Sequence, residues 1–306
     1  MSLFVRIVRR LSFACLAAVM GCGGPPPGPQ PSGPTTSAHG SPQASDNQAG
    51  LPEKKSAVKS AAADKVKKRG TNKSPPADTL DAALALAKHS LATLESVKDY
   101  TGEFTKRERV GDDLLSQERN VIKLRHKPFS VYLRVVEPAS SAGQEVIYVE
   151  GRNNGNLIAH TTGFGSNVIG RLSLDPHGFI ATRGNRYTIK DVGLKNLVLK
   201  LLELGRRKEL FRESTVKIEK IKFDERPCTQ VEISSPHSIG DFRLAIARIV
   251  LDDKWDVPVH FESHEWPAEG GEKSVLSETY SYYNLEFDVG LTDRDFDPDN
   301  PEYAFP

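Results

Sequence analysis

Apolar residues recur at helical spacing where the chain first becomes rich in large side chains. Neighbouring members of this stripe lie three, four or seven residues apart, which places them on one face of a helix. Asp78 precedes them and belongs to a residue type that caps helix N-termini. The stripe consists of Leu80, Leu84, Leu91, Leu94 and Val97. The pattern predicts a helix that Asp78 begins.

The pattern then changes to short runs separated by turn residues, which is typical of strands. From Phe129 to Val135 every second residue is apolar, so one face of that strand is buried and the other is wet, as in an antiparallel sheet. Strands are predicted at Tyr100 to Arg109, Glu118 to Arg125, Phe129 to Val136, Glu145 to Glu150, Asn156 to His160, Val168 to Leu174, Phe179 to Tyr187, Thr215 to Phe223, Cys228 to Ser234, Leu244 to Leu251, Val257 to Glu265 and Val275 to Leu285.

A second helix is predicted after Asp191, ending at Gly205. Its stripe is Leu194, Leu197, Val198, Leu201 and Leu202. Helices at two places among about ten strands do not form βαβ units. We therefore expect a mainly β (α+β) fold: a strongly curved antiparallel sheet or unclosed β-barrel of about ten strands, with one or two helices against its concave face. Between Val216 and Phe223 the apolar phase changes, which predicts a bulge that bends this strand.

The first 22 residues have the features of an export signal. Arg6, Arg9 and Arg10 precede the apolar run Leu11 to Met20, and small residues follow at Gly21-Cys22. The run is too short to span about 30 Å of hydrocarbon as a helix. Val19-Met20-Gly21-Cys22 resembles the bacterial lipobox, which predicts that Cys22 carries the lipid anchor; cleavage without lipidation is the alternative.

Residues 23–77 are rich in Pro, Gly, Ser, Ala, Gln and Lys and poor in large apolar residues. Such a segment buries too little apolar surface to offset its chain entropy, so we expect a disordered linker with an r.m.s. span of about 40 Å. Residues 78–306 are then the single folded domain. The second half of the linker is basic, which indicates either contact with an anionic surface or a solvated, self-repelling chain. Its basic residues include Lys54, Lys55, Lys67, Lys68 and Arg69.

Charge and cysteine content restrict the classes of function. The chain has 41 basic and 40 acidic residues, so no global field favours nucleic acid. Of three cysteines, Cys15 lies in the signal and Cys22 at the lipid site, which leaves Cys228 without a disulfide partner. We expect Cys228 to be a small core residue.

Two segments imitate metal sites without meeting their requirements. His260, Glu262 and His264 share one face of a strand, but histidines four residues apart on a strand are about 13 Å apart, and zinc needs ligands near 2 Å. The second segment, Asp293 to Asp299, resembles the start of a calcium loop. There Pro298 replaces the required glycine and Ala304 stands where a bidentate glutamate belongs. We expect a solvated strand face and an acidic loop that caps the sheet, with no metal or cofactor.

Catalytic motifs are equally incomplete. Gly163-Phe164-Gly165-Ser166-Asn167 is neither a nucleophile elbow nor a phosphate loop, because no helix and no lysine follow it. The histidines are scattered without a paired nucleophile. We therefore assign no catalytic residue, although a hydrolase whose site assembles from distant residues remains a minor alternative.

Several motifs resemble a planctomycete family known as domain of unknown function 1571. They are Lys127 to Tyr132, Glu137-Pro138, Gly143 to Tyr148, Pro258 to Phe261 and Gly290 to Phe296. The resemblance covers about Asp78 to Pro306, and the family brings no established activity or catalytic residues.

The layout is also similar, more distantly, to the periplasmic lipoprotein-carrier superfamily. The shared features are a leading helix, the segment Asp99 to Phe104 and a strand that ends in Glu137-Pro138. That superfamily includes the lipoprotein receptor and the envelope-stress regulator. The resemblance implies an unclosed barrel that holds acyl chains under helices, although fold likeness is a weak guide to function.

Two main functional hypotheses follow. In the first, a membrane-tethered envelope lipoprotein binds a lipid or an acylated protein through an apolar cavity; Gly23 after the acylated cysteine favours the outer membrane. The alternative is a protein-interaction or envelope-sensing module with a filled core. The residues predicted to line the cavity are Phe104, Phe129, Val131, Leu133, Tyr148, Leu197, Leu201 and Phe261.

Overall fold

The apolar alternation is realised as one antiparallel sheet. The structure, a computed structural model, describes residues 78–161, 170–268 and 271–306. Within these residues the sheet has twelve strands, two more than the approximate number expected. They are β1 (Asp99–Val110), β2 (Asp113–Leu114), β3 (Glu118–His126), β4 (Phe129–Glu137), β5 (Glu145–Val149), β6 (Leu157–His160), β7 (Leu172–Leu174), β8 (Thr215–Phe223), β9 (Arg226–Ser234), β10 (Leu244–Asp252), β11 (Val257–Glu265) and β12 (Val275–Phe287).

The sheet grows outward from its centre and then returns to it. Its order is β7-β6-β5-β4-β3-β1-β12-β11-β10-β9-β8, with β2 paired to β1 alone. The first half of the chain therefore runs from the central β1 to one edge, and the second half starts at the other edge and ends beside β1. The two edge strands, β7 and β8, do not pair with each other among the described residues. This confirms the predicted unclosed antiparallel sheet.

Helices cover one face of this sheet. The helices are α1 (Leu80–Ser96), α2 (Phe179–Thr182) and α3 (Leu194–Gly205), with 3₁₀ turns at Asn153–Gly155, Ile189–Asp191, Lys208–Phe211 and Asp293–Phe296. Both α1 and α3 contact β11, and they pack against each other. Within the described part of the chain, no helix is both long enough and apolar enough to cross a bilayer.

Two local predictions are wrong, one about a helix cap and one about a strand. The N-cap of α1 is Thr79, whose side chain accepts a hydrogen bond from the Ala82 N–H, while Asp78 accepts one from the Ile218 N–H of β8. The segment predicted as a strand from Phe179 to Tyr187 instead forms the short α2 and a turn. Residues 168 and 169 of the neighbouring predicted strand lie outside the described residues, and β7 covers only its end.

The predicted bulge in β8 is also wrong. The strand pairs with β9 in continuous register from Thr215 to Phe223. Its apolar residues serve two faces: Val216 packs on the helix-covered side, whereas Phe223 stacks on Tyr283 on the opposite side. The phase change therefore marks a strand that is partly covered on both faces, at different points along its length. The register shifts of the sheet lie elsewhere, for example between Thr101 and Glu103 of β1.

The last segment of the chain covers the face of β4 and β5 that points away from the helices. Tyr132 stacks on Tyr303 with ring centroids 4.1 Å apart. Glu145, almost fully buried, accepts hydrogen bonds from the Tyr132 hydroxyl at 2.7 Å and from the Ala304 N–H at 2.8 Å. Asp295 pairs with Lys123 at 3.0 Å. The acidic segment therefore caps the sheet, as its sequence predicts.

The start of α3 approaches the sheet very closely. Gly193 has φ +114°, and a Cβ atom there would lie 2.6 Å from Leu124 Cδ1 and 3.1 Å from the Tyr100 hydroxyl oxygen. The same oxygen accepts a hydrogen bond from the Leu194 N–H at 3.1 Å. Only glycine adopts this backbone conformation readily and leaves room for the contact. Gly193 therefore sets how closely α3 lies against β1 and β3.

We predict that Gly193→Ala lowers the free energy of unfolding by at least about 2 kcal/mol, because it adds backbone strain and a clash in the core. Gly184→Ala is the matched control, since Gly184 also has positive φ but no atom within 4 Å of its Cβ position. The control should lose only about 1 kcal/mol. Urea unfolding of both variants measures the difference; equal losses would show that the close approach is unimportant.

Candidate functional site on the helix-covered face

The residues predicted to line a cavity lie on the face of the sheet that α1 and α3 cover, or on α3 itself. Phe104 is buried and stacks on Tyr282, with ring centroids 4.9 Å apart. Val131 is completely buried, and Leu133 packs beside it in the central core. Phe261, Leu197 and Leu201 belong to a neighbouring cluster under the C-terminal half of α3. The centre of this face is therefore filled, and two cavities lie towards the two ends of α3.

An apolar cavity of about 60 Å³ lies between α1, the C-terminal half of α3 and strands β9 and β10. Every side chain around it is apolar, and the predicted Leu201 is among them. Several positions are small, notably Ala83, Ala87 and Ala247. The remaining lining residues are Leu80, Leu84, Leu204, Gly205, Phe211, Val231, Ile233, Leu244, Ile249 and Leu251.

The two covering helices meet at the rim of this apolar cavity. A Cβ atom at Gly205 would overlap the side chain of Leu84, so the last residue of α3 must be small for α1 to lie where it does. Away from this contact α1 is attached by two exposed polar contacts, the ion pair of Asp81 with Lys208 at 2.6 Å and the contact of His89 with Asp256 at 3.2 Å. Exposed pairs contribute little to stability. The position of α1 therefore depends mainly on apolar packing.

A second, larger cavity of about 250 Å³ lies at the other end of α3, and we call it the polar-rimmed pocket. The predicted residues Phe129 and Tyr148 line it together with Leu124 and Val192. Its polar residues come from the end of β3, the residue after β5, the segment that leads into α3 and the first turn of α3. They are His126, Glu150, Lys190, Lys195 and Asn196, and Gly193 completes the lining.

The sheet also holds a buried polar cluster that the sequence did not reveal. Glu108 and Glu278 are each about nine-tenths buried or more, side by side on β1 and β12. The Tyr280 hydroxyl lies 2.6 Å from a Glu108 oxygen and 3.0 Å from a Glu278 oxygen. Arg186 contributes its backbone N–H to Glu108 and its guanidinium to Glu265 at 2.6 Å. In the sequence, only the alternation of polar residues along β1 and β12 indicates this cluster.

Protonation decides which hydrogen bonds this cluster makes. One hydroxyl has a single hydrogen, so Tyr280 can donate to only one of the two carboxyl groups. Burial raises the pKa of Glu278, although the nearby Arg186 opposes the rise. A proton on Glu278 would complete the second hydrogen bond. None of these residues lines either cavity, so the arrangement suits anchoring of the segment before α3 better than catalysis.

The side chains of the two segments that resemble metal sites make contacts with other protein groups. On β11, His260 Nδ1 lies 2.8 Å from the Ser281 hydroxyl, and Glu262 accepts hydrogen bonds from Arg248 and pairs with His264. Among the described residues, no group of acidic, histidine or cysteine side chains has the arrangement of a metal site. In the Asp293 to Asp299 segment, Asp293 pairs with Arg125 at 2.9 Å.

Of the remaining sequence predictions, the one for Cys228 is confirmed and the others concern residues that the structure does not describe. Cys228 is completely buried within the central core, as expected. The serine-containing loop from Gly163 to Asn167 lies outside the described residues. So do the proposed lipid site at Cys22 and the basic stretch from Lys54 to Arg69.

We predict that Glu278→Gln stabilises the protein relative to the parent progressively as the pH rises. A carboxyl whose pKa is raised by folding contributes its stability below its unfolded value of 4.5 and loses that stability as the pH rises through the folded value. The variant has no titrating carboxyl at this position, so it does not lose this stability as the pH rises. Urea unfolding of both proteins between pH 3.5 and pH 8 measures the difference in free energy of unfolding.

Glu262→Gln is the control with the opposite sign. Burial tends to raise the pKa of Glu262, but hydrogen bonds from His264 and Arg248 lower it overall. Its stabilising contribution is therefore present above pH 4.5 and lost on acidification. A Glu278→Gln variant that followed the Glu262→Gln trend would contradict the assignment of a raised pKa.

Comparison with known proteins places the chain in a family. The sequence profile described as protein of unknown function (DUF1571) matches residues 97–305, a span that contains all twelve strands. No curated protein matches the chain.

Solved structures give more distant likenesses. A DUF1329 family protein from Desulfovibrio piger is 12% identical, with a TM-score of 0.36 over 72% of this chain and 98% of that chain. Lipoprotein LppX from Mycobacterium tuberculosis is also 12% identical, with a TM-score of 0.39 over 69% and 98%. A LolA superfamily protein from Nitrosomonas europaea is 11% identical, with a TM-score of 0.30 over 70% and 97%.

The profile match contains the segments Lys127 to Tyr132, Gly143 to Tyr148 and Pro258 to Phe261, which carry the family resemblance. The profile also spans more than half of the chain. The protein is therefore a member of the DUF1571 family.

Proposed function

We propose that this protein binds an apolar ligand, a lipid or the acyl chain of a lipidated protein, without catalysing a reaction. The observation that carries the proposal is the apolar cavity between α1, α3 and the sheet, whose lining contains no polar side chain. Cavities of this kind stay dry and take up apolar molecules. Ala83, Ala87 and Ala247 keep this space open where larger side chains would close it.

A ligand larger than the cavity requires α1 to move. The cavity holds about 60 Å³, whereas ligand pockets usually span roughly 300–1,000 Å³. Each methylene that leaves water contributes about 0.8 kcal/mol, so a chain of ten methylenes supplies roughly 8 kcal/mol. That is comparable to the whole stability of a typical domain. Because α1 is held mainly by apolar packing, a chain that replaces its apolar contacts would offset part of the cost of displacing the helix.

The proposed location follows from the sequence. Acylation at Cys22 would tether the protein to a membrane of the cell envelope, with the outer membrane favoured. The linker over residues 23–77 would place the domain from residue 78 onward at an r.m.s. distance of about 40 Å from its anchor. The basic residues from Lys54 to Arg69 would contact anionic head groups. A tethered protein suits the handling of lipid at one membrane better than a shuttle between two.

A second candidate function is a protein-interaction or envelope-sensing module. The observation that favours it is the solid centre of the helix-covered face, where Leu94, Ile122, Val131 and Leu194 are completely buried. In that case the apolar cavity would be a packing defect and the sheet edges or loops would contact a partner. Uptake of an apolar probe separates the two functions.

We predict that Ala87→Leu lowers the affinity for N-phenyl-1-naphthylamine, a neutral apolar fluorophore, about tenfold or more. The larger side chain would occupy the apolar cavity, while the melting temperature should stay unchanged or rise because a void is filled. Fluorescence titration measures the binding, and native mass spectrometry with lipid extraction shows whether the purified protein carries lipid.

Ala85→Leu is the matched control, because Ala85 is exposed on the same helix. It should leave the affinity for the probe unchanged. If the parent protein takes up neither the probe nor lipid, or if both variants bind alike, the apolar-ligand function is wrong and the interaction module is favoured.

We predict that Cys22→Ser moves the protein from the membrane fraction to the soluble fraction, because one serine cannot carry the acyl chains that anchor a lipoprotein. Fractionation followed by immunoblotting measures the distribution, with Cys228→Ser as the control that keeps the proposed anchor. Continued membrane association of Cys22→Ser would contradict acylation at this position.

A further inference from the structure

The polar-rimmed pocket combines an apolar floor with a charged mouth. Leu124, Phe129 and Val192 supply apolar surface, and Tyr148 adds a buried aromatic ring. Its volume, about 250 Å³, is slightly below the range of roughly 300–1,000 Å³ that is typical of small-molecule sites. The pocket therefore suits a short amphiphile, or the head group and first carbons of a longer one.

Two lysines dominate the charge at the mouth. Lys190 precedes α3 and Lys195 lies in its first turn, and neither ammonium group takes part in an ion pair among the described residues. The nearby Asp191 does not neutralise them, because its carboxylate pairs with Lys200 at 3.1 Å and accepts hydrogen bonds from Thr188. The positive end of the α3 dipole adds to the same field. Against these stands one exposed carboxylate, Glu150.

The segment that carries Lys190 is held in place. The side-chain amide of Asn196 donates hydrogen bonds to the backbone oxygens of Lys190 and Val192, each at 2.9 Å. His126 contributes no charge, since burial and the charge of Lys195 lower its pKa, and its Nδ1 donates to the Val97 oxygen at 2.8 Å. The mouth is thus preformed, with more positive than negative charge.

We propose that the polar-rimmed pocket binds a single-chain amphiphile with an anionic head group, a carboxylate or a phosphate. The head group lies between Lys190 and Lys195 and the first part of the chain lies against Phe129, Tyr148 and Val192. This pocket shares no lining residue with the apolar cavity between α1 and α3. The two sites are independent, so either can fail without the other.

The test compares three probes with the same twelve-carbon chain, each below its micelle concentration: dodecanoate, dodecanol and dodecyltrimethylammonium. Isothermal titration calorimetry of the full-length protein should show dodecanoate binding at least tenfold more tightly than the other two. The double variant Lys190→Gln/Lys195→Gln should lose about tenfold in dodecanoate affinity and keep its affinity for dodecanol. Lys88→Gln/Lys222→Gln removes the same charge from two exposed positions elsewhere and should bind like the parent.

Glu150→Gln should change the dodecanoate affinity in the opposite direction to the lysine double variant. Removing the only carboxylate that lines the pocket should tighten dodecanoate binding severalfold, whereas a site for a zwitterionic head group would weaken. Circular dichroism and urea unfolding confirm that each variant keeps the fold.

Three outcomes would overturn the proposal. One is equal affinity for all three probes, which would make the site a general apolar one. The second is a lysine double variant that binds dodecanoate like the parent. In the third, inorganic phosphate alone binds as tightly as dodecyl phosphate, which would leave a free-anion site without a role for the chain. Ala87→Leu should leave unchanged the part of the dodecanoate affinity that Lys190→Gln/Lys195→Gln removes, so a failure at the apolar cavity stays distinguishable.

Discussion

The pairing of β1 with β12 in the middle of the sheet is the constraint on which the rest of this structure depends. It joins the first and last strands of the domain, so the two halves of the sheet grow in opposite directions from one seam. The chain must then cross from the edge at β7 to the edge at β8, and the crossing carries α3 over one face. Without the seam, the two halves of the sheet that line the two cavities would not lie side by side under α3.

Burial beneath the helices stabilises this seam. On one side Phe104, Tyr280 and Tyr282 stack beneath the helices, and the buried carboxyl groups of Glu108 and Glu278 meet the segment that precedes α3. Further along the sheet, on the opposite face of β4 and β5, the last segment of the chain packs its aromatic rings over Tyr132 and satisfies Glu145. Buried charges are tolerated only with partners, and here the partners lie in distant parts of the chain. The polar groups thus help to specify which segments come together.

The open space lies where side chains change from large to small along α3. In the middle of the helix Val198 is almost completely buried and leaves no room. At its C-terminal end, Gly205 and the alanines of α1 keep an apolar void, and at its N-terminal end Gly193 brings the backbone close to β3 and leaves a pocket beside Lys195. The same helix therefore borders the apolar cavity at one end and the polar-rimmed pocket at the other.

The sequence by itself determined the fold class, the family and most strands, because alternation and turn residues act over a few neighbours. It also identified α3 from its stripe to Gly205 and placed Phe129, Tyr148 and Leu201 on the covered face. Tertiary structure decided the rest. It moved the cap of α1 from Asp78 to Thr79, made a helix of the segment after Gly178 and kept β8 regular although its apolar phase changes. It alone brought Lys190 and Lys195 to the pocket beside Phe129, and Glu108 next to Glu278. The reason is physical: a periodic pattern is written in adjacent residues, whereas a cavity or a buried charge cluster arises only when segments far apart in the chain pack together.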